Sequence, residues 1–323
     1  MRRVLIFGDD DRSVLAAVRS LGRAGIAVHL APFNWESPTT RSRYVSAVHH
    51  LPRYSDNPIV WLDELRHLLD QQKFDLLLPC CERSMLPLDQ NRDRFADQTI
   101  ALPAHDTLTI LNDKQRTRDL CARLGVPTAS GRPVREDDNA QSLVAELGLP
   151  LLIKQTQSYR LANLTSRNGV VQVNTADEVE AFLAAVPTRE GLLVEHYFDG
   201  DGLGLSVLAK DGVINQAFQH RRLGETGTEG GSSLRISEAI DPRLRAAAAP
   251  TARRAPPGGR RAARPAPSRA HHDQVPYLLR PSVSSSYRFR SPSGGAIAAR
   301  SLASDTPSPS GSAGRTGCRP WST

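Results

Sequence analysis

Between Leu147 and Gly200 the chain carries two short apolar runs, each ending on a charged residue. The first is Leu151-Leu152-Ile153-Lys154, and the second is Leu192-Leu193-Val194-Glu195, which continues into His196-Tyr197-Phe198. Runs this short and this apolar read as buried strands. A lysine emerging from such a strand is expensive to desolvate and normally awaits an anion. An acid leaving the second strand, with aromatics behind it, suits the wall of an adenine pocket. Between the runs, Arg160 to Gly169 is polar enough for a loop over phosphates, and Val170-Val171-Gln172-Val173 follows as a further strand.

Upstream, Leu111 to Leu124 reads as a helix that begins near Asn112 or Asp113 and is stopped by Gly125. Lys114 then falls in the first turn, where backbone amides and the helix dipole favour anions. Lysine is scarce, at four residues against 37 arginines, and two of the four are Lys114 and Lys154. Where arginine is used so freely, a retained lysine suggests a need for a compact point charge. Downstream, Leu203 to Leu208 and Val213 to Phe218 flank Asp211-Gly212, a strong hairpin signal. The returning strand is expected to end at His220-Arg221-Arg222, before a glycine-rich loop from Gly224 to Ser233. Taken alone, these charges could equally be a solvated helix residue, a strand-edge snorkeler and a flexible loop.

The amino-terminal part has the alternation of a βαβ unit. Val4 to Gly8 is a buried strand ending in a turn, and Val14, Leu15, Val18 and Leu21 recur at helical spacing. Ile26 to Leu30 is the second strand, and Phe74 to Pro79 is a later one. A dinucleotide site is disfavoured, because Gly8 is followed by Asp9-Asp10-Asp11-Arg12-Ser13 instead of G-x-G-x-x-G. Three carboxylates there would repel a pyrophosphate, although they could cap the helix. Glu82, beyond Pro79, lies where open sheets place ligands, and a solvated loop charge is the commoner reading.

In this order, the Asn112-Asp113-Lys114 block, the two charged strand ends and the Phe218 to Ser233 segment resemble the ATP-grasp superfamily. The similarity is to the branch of the carbamoyl phosphate synthetase large chain and the carboxylate–amine ligases. The resemblance implies an α/β protein. A Rossmann-like pre-ATP-grasp domain (1–102) would precede an ATP-grasp α+β module, with its amino-terminal subdomain at 103–190 and a partial carboxy-terminal subdomain at 191–244. It further implies ATP and Mg²⁺ as cofactors, with Lys114 and Lys154 on phosphates and Glu195, Tyr197 and Phe198 beside adenine. Arg221 and Arg222 would act as catalytic residues facing the γ-phosphate and the acceptor carboxylate. Gln155 stands where the family usually has proline, and the presumed phosphate loop carries only Gly169.

After Leu244 the pattern breaks. The family expectation is a helix, two apolar strands and a Glu-x-Asn pair for magnesium, yet residues 245–323 contain no glutamate. They contain 13 arginines, no lysine and two aspartates, so their balance is +11 while residues 1–244 balance at −4. Such Arg/Pro/Ser-rich text is expected to be a disordered tail. It is either an out-of-frame terminus replacing the catalytic third of the module or a genuine basic arm. The expected function is therefore an ATP-dependent carboxylate–amine ligase acting on small molecules. A catalytically dead nucleotide-binding remnant and a basic-tailed nucleic-acid adaptor are the alternatives. With the positive charge confined to the tail, nucleic acid is an unfavoured partner. Cys80, Cys81, Cys121 and Cys318 have no metal-ligand spacing and read as reduced thiols. No apolar run is long enough to span a bilayer, and a cytoplasmic location is expected.

Overall fold

The computed structural model describes residues 1–8, 13–198, 200–226, 231–254, 285–289 and 298–301. The Asp9-Asp10-Asp11 cap expected from the sequence lies outside the described residues, as does Cys318.

The first unit is β1 (Arg3–Phe7), α1 (Ser13–Arg23), β2 (Ala27–Ala31), β3 (Val45–Val48), α2 (Pro58–Gln71), β4 (Leu76–Pro79) and α3 (Glu82–Gln90). Its four parallel strands run in the order β3-β2-β1-β4. Alternation along β1 explains the layering, since successive strand residues point to opposite faces. Val4 and Ile6 pack with Val14 and Val18 of α1 on one face. Leu5 and Phe7 pack with Trp61, Leu65 and Leu69 of α2 on the other. A sheet covered on both faces in this way is doubly wound, with its ligand edge at the carboxyl ends of the strands.

The second unit contains α4 (His105–Asn112), α5 (Lys114–Arg123), β5 (Gly131–Pro133), α6 (Ala140–Leu147), β6 (Leu151–Gln155), β7 (Val170–Val173), α7 (Ala176–Ala185) and β8 (Leu192–His196). The single helix expected from Leu111 to Leu124 is in fact two. Asp113 leaves the helical conformation at φ −112° and ψ 117°, and its carboxylate accepts from the Arg116 amide at 3.0 Å, starting α5 afresh. Lys114 is thus the first residue of a new helix. The sheet order is β5-β8-β6-β7 with antiparallel neighbours. Leu151, Ile153, Leu192 and Val194 face a core with Leu143, Val179 and Leu183 of α6 and α7. The alternate set of Leu152, Lys154, Leu193 and Glu195 must face the other way.

The third unit is a long antiparallel hairpin of β9 (Asp201–Lys210) and β10 (Val213–Thr226), followed by β11 (Gly231–Glu238) and α8 (Pro242–Arg254). Asp211 and Gly212 both have positive φ (50° and 80°), as the tight turn requires. One expectation needs correcting. β10 does not end at Arg222 but continues to Thr226, because Glu225 and Thr226 pair with Ser232 and Gly231 of β11. Ladder pairing outweighs the glycine signal at Gly224, and only 227–230 of the expected loop lie outside the described residues. Alanine-rich α8 reaches Arg254, and β12 (Ser285–Phe289) and β13 (Ala298–Ser301) extend the sheet beside β9. The remainder of the tail lies outside the described residues.

Candidate nucleotide site

The register of β6 against β8 builds the centre of the site. Lys154 lies opposite Leu193 and Leu152 opposite Glu195, so Lys154 and Glu195 are diagonal neighbours on one face. Their side chains are 1% and 4% exposed, and Lys154 Nζ donates to Glu195 Oε2. The anion that this strand-end lysine awaits is, in this state of the protein, Glu195. Arg118 of α5 closes the other side. Its Nη1 donates to Glu195 Oε1 at 2.9 Å, and its Nη2 donates to the carbonyls of Ala129 and Gly131 at 2.7 and 2.8 Å. Gly131 stands opposite Glu195 on β5, and a Cβ built there would lie 2.7 Å from Glu195 Cγ. Glycine is required for this close approach, which brings the Gly131 carbonyl within reach of Arg118.

Lys114 sits beside this ion cluster. Its amide donates to Thr156 O at 2.9 Å, and its Nζ donates to Gln155 O at 2.9 Å, Thr156 O at 3.2 Å and Ser158 Oγ at 3.3 Å. It therefore fastens the start of α5 to the segment leaving β6. Burial, then the charges of Lys154 and Arg167, push its pKa down to about 8, against smaller opposing effects of Asp113 and Glu82. An ammonium that is hard to keep charged, held among other cations, gains most when an anion arrives.

Lys114, Lys154 and Glu195 thus share one cluster. Tyr197 and Phe198 leave β8 half-buried, and the Tyr197 amide donates to Pro150 O at 2.8 Å. Arg221 and Arg222 stand within β10 on the neighbouring sheet. There Arg221 Nε donates to Glu238 Oε1 at 2.5 Å, and Arg222 lays its stem over Gly202, whose added Cβ would lie 3.0 Å from Arg222 Cδ. Arg118 was not foreseen. Its signal is its spacing, because four residues after Lys114 it shares that lysine's helical face. Cys80, Cys81 and Cys121 are free thiols. Among the described residues, no three Asp, Glu, His or Cys side chains come together as a metal site. A donor set for magnesium is not found among them. No helix among the described residues is long and apolar enough to cross a membrane.

No family model matches the chain. Over 104 residues it is 36% identical to a D-alanine–D-alanine ligase of Burkholderia multivorans, which covers 31% of each chain. It spans about a third of the length of the curated relatives it matches first. Among solved structures it resembles the L-amino acid ligase from Bacillus licheniformis, with a TM-score of 0.57 at 17% identity over 79% of this chain and 60% of that one. It also resembles the biotin carboxylase domain of the Hydrogenobacter thermophilus 2-oxoglutarate carboxylase, solved with MgADP and bicarbonate. That TM-score is 0.55 at 16% identity, over 78% and 58% of the two chains.

Proposed function

We propose that this chain, a member of the ATP-grasp superfamily, binds ATP at the Lys114, Lys154, Arg118 and Glu195 cluster and serves ligation of a carboxylate to an amine. The supporting observation is the excess of positive charge on one face of β6 and β8. Lys154 and Arg118 share the single carboxylate of Glu195, and Lys114 adds a second ammonium alongside. An anion entering here meets three cationic side chains held close together. Lys114, at the first position of α5, would hold phosphate oxygens through both its ammonium and the helix end. Lys154 would exchange part of its bond with Glu195 for the nucleotide, and the freed carboxylate oxygen could accept from the adenine amino group. Tyr197 and Phe198 follow Glu195 closely enough to line the same pocket.

In the reaction class, a carboxylate oxygen attacks the γ-phosphorus and ADP leaves. The amine then attacks the acyl-phosphate carbon, and phosphate departs as the nitrogen loses its proton. Magnesium, when bound, would neutralise charge developing on the β- and γ-phosphates. The contribution assigned to this chain's residues is to bind and orient the triphosphate.

The test is ATP binding by calorimetry to the wild type and Lys114→Ala, combined with ADP release in the presence of amino acids. Losing one charged hydrogen-bond donor should weaken binding by roughly ten- to a hundredfold. Equal affinity in the two proteins removes Lys114 from the site, and absence of ATP binding to the wild type ends the proposal.

A further inference from the structure

Lys154 and Glu195 are buried side by side on one face of β6 and β8, and Lys154 Nζ donates to Glu195 Oε2. An anion arriving at this ammonium has to compete with a carboxylate already bound to it. We propose that Glu195 gates the cationic cluster, admitting an anion to Lys154 only when an amino group arrives with it to take up the displaced carboxylate oxygen. The site then selects an adenine nucleotide over free polyphosphate. How the gate opens rests on the nucleotide reading above, whereas the closed gate rests on the ion pair itself.

The carboxylate is anchored at one oxygen and exchangeable at the other. Arg118 Nη1 donates to Glu195 Oε1 at 2.9 Å, and its Nη2 is itself fixed on the Ala129 and Gly131 carbonyls at 2.7 and 2.8 Å. A guanidinium presents several donors in a rigid fork, so it can hold an acid and two carbonyls at once. Retreat towards β5 is closed. The backbone there is so near that a Cβ built on Gly131 would lie 2.7 Å from Glu195 Cγ. Oε2, on the Lys154 side, is the oxygen whose partner can change.

A polyphosphate that draws Lys154 away by itself strands a desolvated acid oxygen and sets two like charges side by side. An exocyclic amino group removes that penalty, because its N–H donates to the vacated Oε2 in a charge-assisted hydrogen bond. A base with a carbonyl at the same ring position sets two acceptors face to face and leaves the gate shut. Lys114 lies outside the gate, since its Nζ rests on neutral oxygens of Gln155, Thr156 and Ser158. Free polyphosphate therefore keeps a weak hold on Lys114 while Lys154 stays with Glu195. One carboxylate thus couples recognition of the base to recognition of the phosphates.

Calorimetry on the full chain at fixed ionic strength tests the gate with ATP, ITP and inorganic tripolyphosphate. ITP differs from ATP by a carbonyl in place of the amino group. The wild type should bind ATP roughly ten- to a hundredfold more tightly than either of the others. Glu195→Gln should bind tripolyphosphate roughly tenfold more tightly than the wild type and ATP no more tightly, so the selectivity collapses. A simple loss of negative charge would instead raise all three affinities together, and that result overturns the gate. A second measurement needs only the wild type. Excess adenosine should tighten tripolyphosphate binding roughly tenfold, and inosine should not. If ATP binds but adenosine has no such effect, the gate is overturned and the nucleotide reading stands. If ATP does not bind, the nucleotide reading falls, and the closed gate survives only if Glu195→Gln still binds tripolyphosphate more tightly than the wild type.

Discussion

Removing Glu195 should cost this chain more stability than removing Lys154, although the two form one ion pair. Glu195→Leu leaves Lys154 and Arg118, with side chains 1% and 14% exposed, without their shared counter-charge. Stripping one partner from a buried pair costs about 3–5 kcal/mol, because the desolvated charge remains. Lys154→Met is milder, since Glu195 keeps its 2.9 Å bond from Arg118. The loss there should be about 1.5–3 kcal/mol, one charged hydrogen bond. The double variant removes the buried ammonium together with the carboxylate. Arg118 retains its bonds to the Ala129 and Gly131 carbonyls. The double variant should therefore be more stable than Glu195→Leu alone, which requires a coupling larger than the Lys154→Met loss, on the order of 3 kcal/mol. Urea unfolding followed by far-ultraviolet circular dichroism measures all four proteins. A Glu195→Leu loss within about 0.5 kcal/mol, the range of an ordinary surface change, would refute the buried-cluster reasoning. So would a double variant whose loss equals the sum of the singles.

Three further outcomes follow from the same geometry. Lys114 titrates near 8 in the fold against an ordinary 10.5, so its charged form opposes folding fully below about pH 8 and that opposition is relieved towards pH 10.5. Nucleotide binding favours the charged form, so ATP affinity should fall as pH rises through about 8, and a Lys114→Arg variant with a flat profile would locate the titration. Gly131→Ala should cost roughly 1–3 kcal/mol by thermal unfolding, since the new methyl meets Val194 O and Glu195 Cγ, and a neutral result would contradict the close β5–β8 approach. His29 and His49 stack at 5.1 Å with Nδ1 and Nε2 2.8 Å apart, and burial lowers both pKa values. Stability should therefore be present above about pH 6.5 and decline as pH falls below it, and His49→Gln should flatten that slope.

What the sequence made legible were the features that local pattern controls. The βαβ start could be read from Val4 to Leu30 because the strand and helix periods differ, and the two charged strand ends could be read because single charges interrupt apolar runs. Arg118 was hidden because α5 is polar almost throughout, so apart from its spacing from Lys114 nothing singles it out until Ala129, Gly131 and Glu195 surround it. β3 was missed because Val45-Ser46-Ala47-Val48 is a short, half-exposed edge that gains its identity only from pairing with β2. The length of β10 was misjudged for the same reason, as a non-local ladder decides it. A cavity lined by Phe33, Arg53, Arg83 and Leu164 could not be foreseen at all, since these residues come from four separated segments.

Hydrogen exchange of the whole chain, with and without saturating ATP, tests the central assignment most directly. Binding at the cationic cluster predicts added protection of amides in the first turn of α5, in Gln155 to Ser158 and in β8 from Leu192 to Phe198, with little change in β2 or α2. Protection confined elsewhere, or none while ATP is demonstrably bound, would place the nucleotide away from Lys114, Lys154 and Glu195.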